Sequence, residues 1–208
     1  MSTGENGDLG PASFTEEKNL WQIYWKARRI KPSLFNVLAT LAVFAFLAIT
    51  TFCAPQGVAS FAATVRELAT FGLNATLTVL GFLVAGFTIF ATVTNPNMLI
   101  AMGGIRHEDS GLSWMKHSFF VLLRTFVYYL VYAVICFAVV YLGAKGGPVS
   151  FLVSLSPNPQ EYAVCIVKVA FVVLATGQFF LLMQLKSFIY NVYSSVAASL
   201  RWRAEGHD

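Results

Sequence analysis

The sequence contains little charge and few of the residue types on which catalysis or metal binding depends. Only 12% of its 208 residues are Asp, Glu, Lys or Arg, and it has three histidines and three cysteines. None of the GxSxG, HExxH, CxxC or phosphate-binding glycine motifs occurs in it. Its carboxylates are few and dispersed, whereas catalytic acids, bases and nucleophiles must meet in one site. The sequence therefore predicts a protein that is not an enzyme and that holds no metal or cofactor.

Apolar residues, in contrast, make up 57% of the chain and fall into four long runs. The runs cover residues 32–54, 71–94, 118–142 and 162–185. At about 1.5 Å per residue, each is long enough as a helix to cross a hydrocarbon core of about 30 Å. Backbone polar groups in that core must be satisfied internally, which favours helices. The predicted fold is all-α, a polytopic four-helix transmembrane bundle over residues 32–208 whose first run is retained rather than cleaved.

The basic residues are distributed unevenly around these runs. Ten of the fourteen lie in the N-terminal arm, the middle loop and the C-terminal tail, whereas only Arg66 and Lys145 lie in the other two loops. By the positive-inside rule, both termini and the middle loop are predicted to be cytoplasmic, in a bacterial inner membrane. The net charge of +4 is thus an orientation signal, because no basic patch interleaved with base-stacking aromatics predicts nucleic-acid binding.

The N-terminal arm combines aromatic and basic residues. Residues 1–12 are polar and predicted to be disordered, and Ser13 with Glu16 forms a capping box. We expect an amphipathic helix within residues 13–31 that lies in the headgroup layer, and a solvent-exposed arm is the alternative. The predicted interface residues are Trp21, Tyr24, Trp25, Arg28 and Arg29.

The fourth span has a clear start and no clear end. Asn158, Pro159 and Glu161 form a helix-start signal, and no proline or glycine follows residue 185 until Gly206. We expect the helix to continue into the cytoplasm to about Trp202. An apolar stripe on this extension either binds a partner or folds back on the bundle. The stripe comprises Phe188, Val192, Val196 and Leu200.

One face of the second span is small and polar, and the span is predicted to end at Asn95, before Pro96. The residues of this face recur at steps of three or four and occupy an arc of about 100°. It is either a seam for close helix packing or the lining of a hydrated path in an oligomer. The face comprises Asn74, Thr78, Gly81, Ala85, Thr88, Thr92 and Asn95.

Three further polar side chains lie within spans. We expect Arg124 and Lys168 to snorkel or to pair with a neighbour, because each lies about six residues from the start of its span. Gln178 lies deeper and could hydrogen-bond to the polar face of the second span. Residues 97–104 are predicted to form a short turn, and residues 103–111 a solvated linker.

Three functional classes follow from this pattern. The leading one is a non-enzymatic membrane subunit that oligomerises and anchors, senses or works with a cytoplasmic protein partner in a multi-component system. Small spanning subunits of this kind occur in bacterial antiviral defence and in secretion machines, which is an analogy of architecture alone. The second class is a homo-oligomeric pore or channel lined by the polar face. The third is a lipid-modifying membrane enzyme that uses the middle loop.

Overall fold

A computed structural model describes residues 16–53 and 58–206. Over these residues the protein is all-helical, with seven helices and no strand. Arg106 and Ser113 form one isolated antiparallel bridge. The helices are α1 (Leu20–Ala27), α2 (Leu34–Cys53), α3 (Val58–Val93), α4 (Pro96–Gly103), α5 (Trp114–Leu142), α6 (Pro148–Ser154) and α7 (Pro159–Ala204).

Four of these helices are long and apolar enough to cross a membrane, namely α2, α3, α5 and α7. The prediction of an integral membrane protein with four spanning helices is confirmed at this level. The helix of the second span is longer than expected, because α3 begins at Val58 rather than near residue 71.

The first helix is shorter than the predicted one. It begins at Leu20, and Asn19 is its N-cap, whose side chain accepts a hydrogen bond from the Gln22 amide at 2.9 Å. Residues 16–18 are not helical, so Glu16 does not serve in a capping box within the helix. The predicted disordered tail and Ser13 lie outside the described residues.

Two short helices lie between the spanning ones, and one of them replaces a predicted turn. Residues 97–104 were expected to form a turn, but α4 covers most of them, and the Asn95 side chain caps it by accepting from the Asn97 amide at 2.8 Å. Helix α6 follows the glycine turn at 146–147. In α7 the prediction was accurate, since one continuous helix of 46 residues begins at Pro159 and ends at Ala204.

The described residues fall into two compact units. One unit comprises residues 33–80 and 128–184. In it, the Tyr132 ring lies against Gly177, and the Tyr132 hydroxyl donates to the Leu174 carbonyl at 2.9 Å. Similarly, the Tyr129 hydroxyl donates to the Leu181 carbonyl at 2.9 Å. Helices α5 and α7 are thus fastened by buried tyrosines.

The other unit comprises residues up to 32, 81–127 and 185 onward. Its apolar core contains Ala27, Ile30, Leu112 and Phe120. In the same unit, the Phe188 ring of α7 lies against Gly86 of α3, where an added Cβ would be 3.2 Å from the ring. This unit therefore holds the first helix, the middle loop and the end of α7.

Candidate functional site

The polar face of α3 is exposed. We use this name for Asn74, Thr78, Gly81, Ala85, Thr88 and Thr92, all of which are exposed. Asn95 was predicted to belong to this face, but α3 ends at Val93 and the half-buried Asn95 caps α4 instead. The opposite side of the helix contacts the rest of the chain, and Leu83 and Phe90 there are almost fully buried. A Cβ atom added at Gly81 would meet nothing within 4 Å. The polar face is therefore not a packing seam within the described chain.

The hydroxyl groups of this face are largely satisfied by their own helix. Thr78, Thr88 and Thr92 each donate to the carbonyl four residues earlier, at 2.9 Å. This pattern is common for threonine in spanning helices. Asn74 differs, because its side-chain amide forms no hydrogen bond to any other described residue. It is thus the polar group of this face with the greatest need for an external partner.

The two charged residues within spans bind carbonyl groups at helix ends. The Arg124 guanidinium donates to the carbonyls of Ala27 at 3.3 Å and Ile30 at 2.8 Å, at the end of α1. The Lys168 ammonium donates to the Phe52 carbonyl at 3.4 Å, at the end of α2. Cations at helix C-termini satisfy free carbonyls and oppose the helix dipole. Both residues therefore have structural partners.

Gln178 has a buried side-chain oxygen that accepts no hydrogen bond from the described residues. Its contact with the polar face of the second span stays a prediction.

The first helix exposes one aromatic side. Trp21 and Trp25 are 62% and 52% exposed, and their rings meet edge to face at 5.8 Å. Tyr24 stacks on Trp21 at 5.6 Å, and the Arg28 guanidinium lies 4.7 Å from the Trp25 ring centre. Arg29 is exposed as well. Four of the five predicted interface residues are thus in contact with one another, while Ala27 on the other side of α1 is buried in its unit.

An ion network fastens the arm that precedes α1. Lys116 of α5 contacts Glu17 at 2.9 Å and Glu16 at 3.1 Å, and Lys26 contacts both carboxylates at 2.8 Å. Hydrogen bonds from the two lysines hold the pKa of Glu16 below its ordinary 4.5. Burial alone would raise the pKa of Glu17, but the same hydrogen bonds outweigh it and lower the value. For Lys26, burial opposes the charge, yet the carboxylates raise its pKa above 10.5.

The middle loop has defined contacts, although most of the predicted linker at residues 103–111 is exposed. Leu112 and Ser113 are buried, the His107 amide donates to the Leu112 carbonyl at 2.7 Å, and the Gly111 amide donates to the His107 carbonyl at 2.9 Å. His107 and His117 stack with ring centres 3.8 Å apart, and His117 also shares a hydrogen bond with Ser110 at 3.0 Å. Within the described ranges, no three His, Cys, Asp or Glu side chains are placed to hold a metal ion.

The apolar stripe of α7 is not one exposed surface. Phe188 is buried, Val192 and Val196 are half-buried, and Leu200 is 59% exposed. Between them, the Ser199 hydroxyl donates to the Val93 carbonyl at 3.4 Å. The start of the stripe thus packs on its own unit, and only its end is free to meet another protein.

These contacts define a helical integral membrane protein with an unpartnered polar helix face. Comparison with protein-family models, with curated proteins and with solved structures finds no match to this chain.

Proposed function

We propose that this protein is a non-enzymatic integral membrane subunit that oligomerises through the polar face of α3 and works with a cytoplasmic protein partner. The exposure of that face carries the proposal. In hydrocarbon, no water is present to accept hydrogen bonds from an exposed amide such as that of Asn74. A second copy of the same face supplies both amide partners and close backbone contact at Gly81 and Ala85.

The spacing of the face supports helix association. Between Asn74 and Thr92 its residues alternate between steps of four and three, which is the spacing of a heptad seam. That period keeps one seam in contact along two helices that cross at about 20°, as in left-handed coiled coils. Small residues at such a seam let the two backbones approach. On a helix side that faces lipid, such a regular spacing of small polar residues would not stabilise the protein.

A bulky residue at Gly81 tests the assembly. Because nothing in the described chain lies within 4 Å of a Cβ there, Gly81→Leu is accommodated by the monomer but obstructs a close contact between copies. We expect the purified variant to remain helical and to shift from oligomer to monomer in mass photometry. Ala91→Leu introduces the same side chain at an exposed position of α3 outside the polar face, so it is the matched control and should leave the oligomer intact. An unchanged oligomer in Gly81→Leu would refute the seam.

A pore lined by the same face is the second candidate function. Its support is chemical, since hydroxyl groups at Thr88 and Thr92 are exposed and could replace water around a solute. The nearly isosteric changes Thr88→Val and Thr92→Val should then lower conductance in liposomes and leave the oligomer unchanged. No flux through the unmodified protein, with its partner present, would exclude the pore.

The orientation and the interfacial position of α1 belong to the same proposal. The exposed pair Trp21 and Trp25 beside Arg28 is typical of a helix at the headgroup layer. A cysteine at Glu108, which is exposed, should react only from the cytoplasm, and one at Lys145 only from outside. The native cysteines are first replaced, because Cys53 and Cys165 are exposed. The reverse labelling pattern would invert the orientation.

The partner surface is assigned to the exposed end of α7. Tyr193 is 70% and Leu200 59% exposed on a helix that continues well beyond the length needed for a span. A soluble partner that binds this end of α7 would provide the activity that so small a membrane subunit lacks, for example in an antiviral system.

A further inference from the structure

A large apolar pocket lies within the unit formed by residues 33–80 and 128–184. Its volume is about 420 Å³. Helices α3, α5, α6 and α7 line it, mostly through alanine, valine, isoleucine and leucine side chains. The size is in the lower part of the range of about 300–1,000 Å³ that is usual for small-molecule sites. The pocket is thus suited to one hydrocarbon chain rather than to a whole two-chain lipid.

Two cationic side chains also line this apolar pocket. Arg66 is half-buried and uses its Nε to donate to the Ala62 carbonyl at 3.1 Å. No carboxylate in the described chain pairs with Arg66, and Lys145 likewise has no ion-pair partner there. Lys145 and the neighbouring Ser150 are exposed, so the pocket reaches the protein surface.

The arrangement has the two parts that an anionic amphiphile requires. Apolar walls receive a hydrocarbon chain, and an arginine with a lysine receives a phosphate group, since guanidinium and ammonium groups both bind phosphate strongly. The pocket also lies at helix ends, where α5 ends at Leu142 and the following turn carries Lys145. In a spanning protein, such ends lie at the depth of lipid headgroups. Basic pockets between spanning helices bind anionic lipid headgroups in the same way.

We propose that this pocket binds an anionic phospholipid of the surrounding membrane, with one acyl chain among its apolar side chains and the phosphate at Arg66 and Lys145. The ligand is a membrane lipid rather than a soluble anion because most of the lining is apolar. A zwitterionic lipid binds less well, since its own ammonium group competes with the two cations. The site is independent of the polar face of α3, whose residues do not line it.

Lipid binding to the intact protein tests this assignment. The full-length protein in detergent is titrated with phosphatidylglycerol or phosphatidylcholine of identical chains, and bound lipid is counted by native mass spectrometry. We expect phosphatidylglycerol to bind preferentially. Arg66→Gln and Lys145→Gln should each weaken it by about fivefold, and the double variant should lose the preference. Arg203→Gln removes one exposed cation outside the pocket and should leave binding unchanged.

A second variant tests the hydrocarbon part. Ala163→Phe fills the pocket without changing charge, so it should lower the binding of both lipids while leaving the helical content unchanged. Equal binding of the two lipids by the unmodified protein would overturn the proposal. So would full displacement of phosphatidylglycerol by inorganic phosphate, because the pocket would then be a soluble-anion site. If Ala163→Phe binds phosphatidylglycerol normally, the lipid lies elsewhere.

Discussion

The ion network around Lys116 predicts that two neighbouring carboxylates, Glu16 and Glu17, contribute very differently to the docking of the N-terminal arm. The Lys116 and Glu17 side chains are 3% and 6% exposed, whereas the Glu16 side chain is 50% exposed. Breaking a buried ion pair from one side costs about 3–5 kcal/mol, and an exposed pair contributes about 0–1 kcal/mol. Glu17→Gln leaves Lys116 with only the half-exposed Glu16. We therefore expect it to weaken the docking of the arm by about 3 kcal/mol, and Glu16→Gln to weaken it by less than about 1 kcal/mol.

Hydrogen–deuterium exchange of α1 measures this docking directly. Its amides become accessible when the arm opens, and every 1.4 kcal/mol of lost stability corresponds to about tenfold faster exchange. In lipid nanodiscs at pH 7, residues 20–27 should exchange about 100-fold faster in Glu17→Gln and at most about fivefold faster in Glu16→Gln. The peptides of α7 serve as an internal control and should not change.

The same network predicts how docking depends on pH. The pKa values of Glu16 and Glu17 are lowered in the folded protein, so their contribution is present above their ordinary 4.5 and is lost as the pH falls through the folded values. The pKa of Lys26 is raised, so its contribution is present below 10.5 and is lost only at higher pH. Exchange of α1, corrected for its intrinsic pH dependence, should therefore accelerate below about pH 4.5 in the unmodified protein. Equal exchange in both glutamine variants at pH 7 would refute the reasoning.

Further substitutions test the packing and the partner surface. Gly177→Ala should destabilise the protein by about 1–3 kcal/mol, because the added Cβ would lie 2.6 Å from a tyrosine ring. Gly104→Ala should be neutral, because its added Cβ would meet only the Ala101 carbonyl oxygen at 3.6 Å; thermal unfolding followed by size exclusion compares the two. Tyr129→Phe should cost about 1 kcal/mol in the same assay through the loss of a buried hydrogen bond. Phe188→Ala should destabilise its unit by about 3–5 kcal/mol, because the Phe188 side chain is buried. Leu200→Glu changes an exposed residue, so it should leave stability unchanged and abolish co-purification of the cytoplasmic partner. A stable Phe188→Ala variant would show that the end of α7 does not pack as described.

The features that depend on local sequence were predictable. Long uncharged runs indicated the four spanning helices, and the signal at Asn158 and Pro159 correctly placed the start of α7. The start of α1 was misplaced, because Glu16 lies before the helix and its carboxylate contacts the side chains of Lys26 and Lys116. Asn19, a residue typical of helix N-caps, was the signal that could have placed it.

The features that depend on distant contacts were not predictable. Which face of α3 would be exposed is decided by the side chains that cover the opposite face, and these come from other helices. The conformation of the middle loop depends on Leu112, which is buried in an apolar core together with residues of α1 and α5. Arg66 and Lys145 line the same pocket because the turn after α5 lies near α3. Single-sequence periodicity contains none of this information.

The carbonyl partners of Arg124 and Lys168 imply an order of events during synthesis. In both contacts the acceptor comes first in the chain, by 94 and 97 residues for Arg124 and by 116 residues for Lys168. At about 5–20 residues per second, the ribosome makes each helix end several seconds or more before the cation that it receives. For Arg124 and Lys168, the acceptor carbonyls are therefore already made when the charged span is synthesised. Moving the acceptor helix behind the donor by circular permutation would reverse this order and leave the final contacts unchanged.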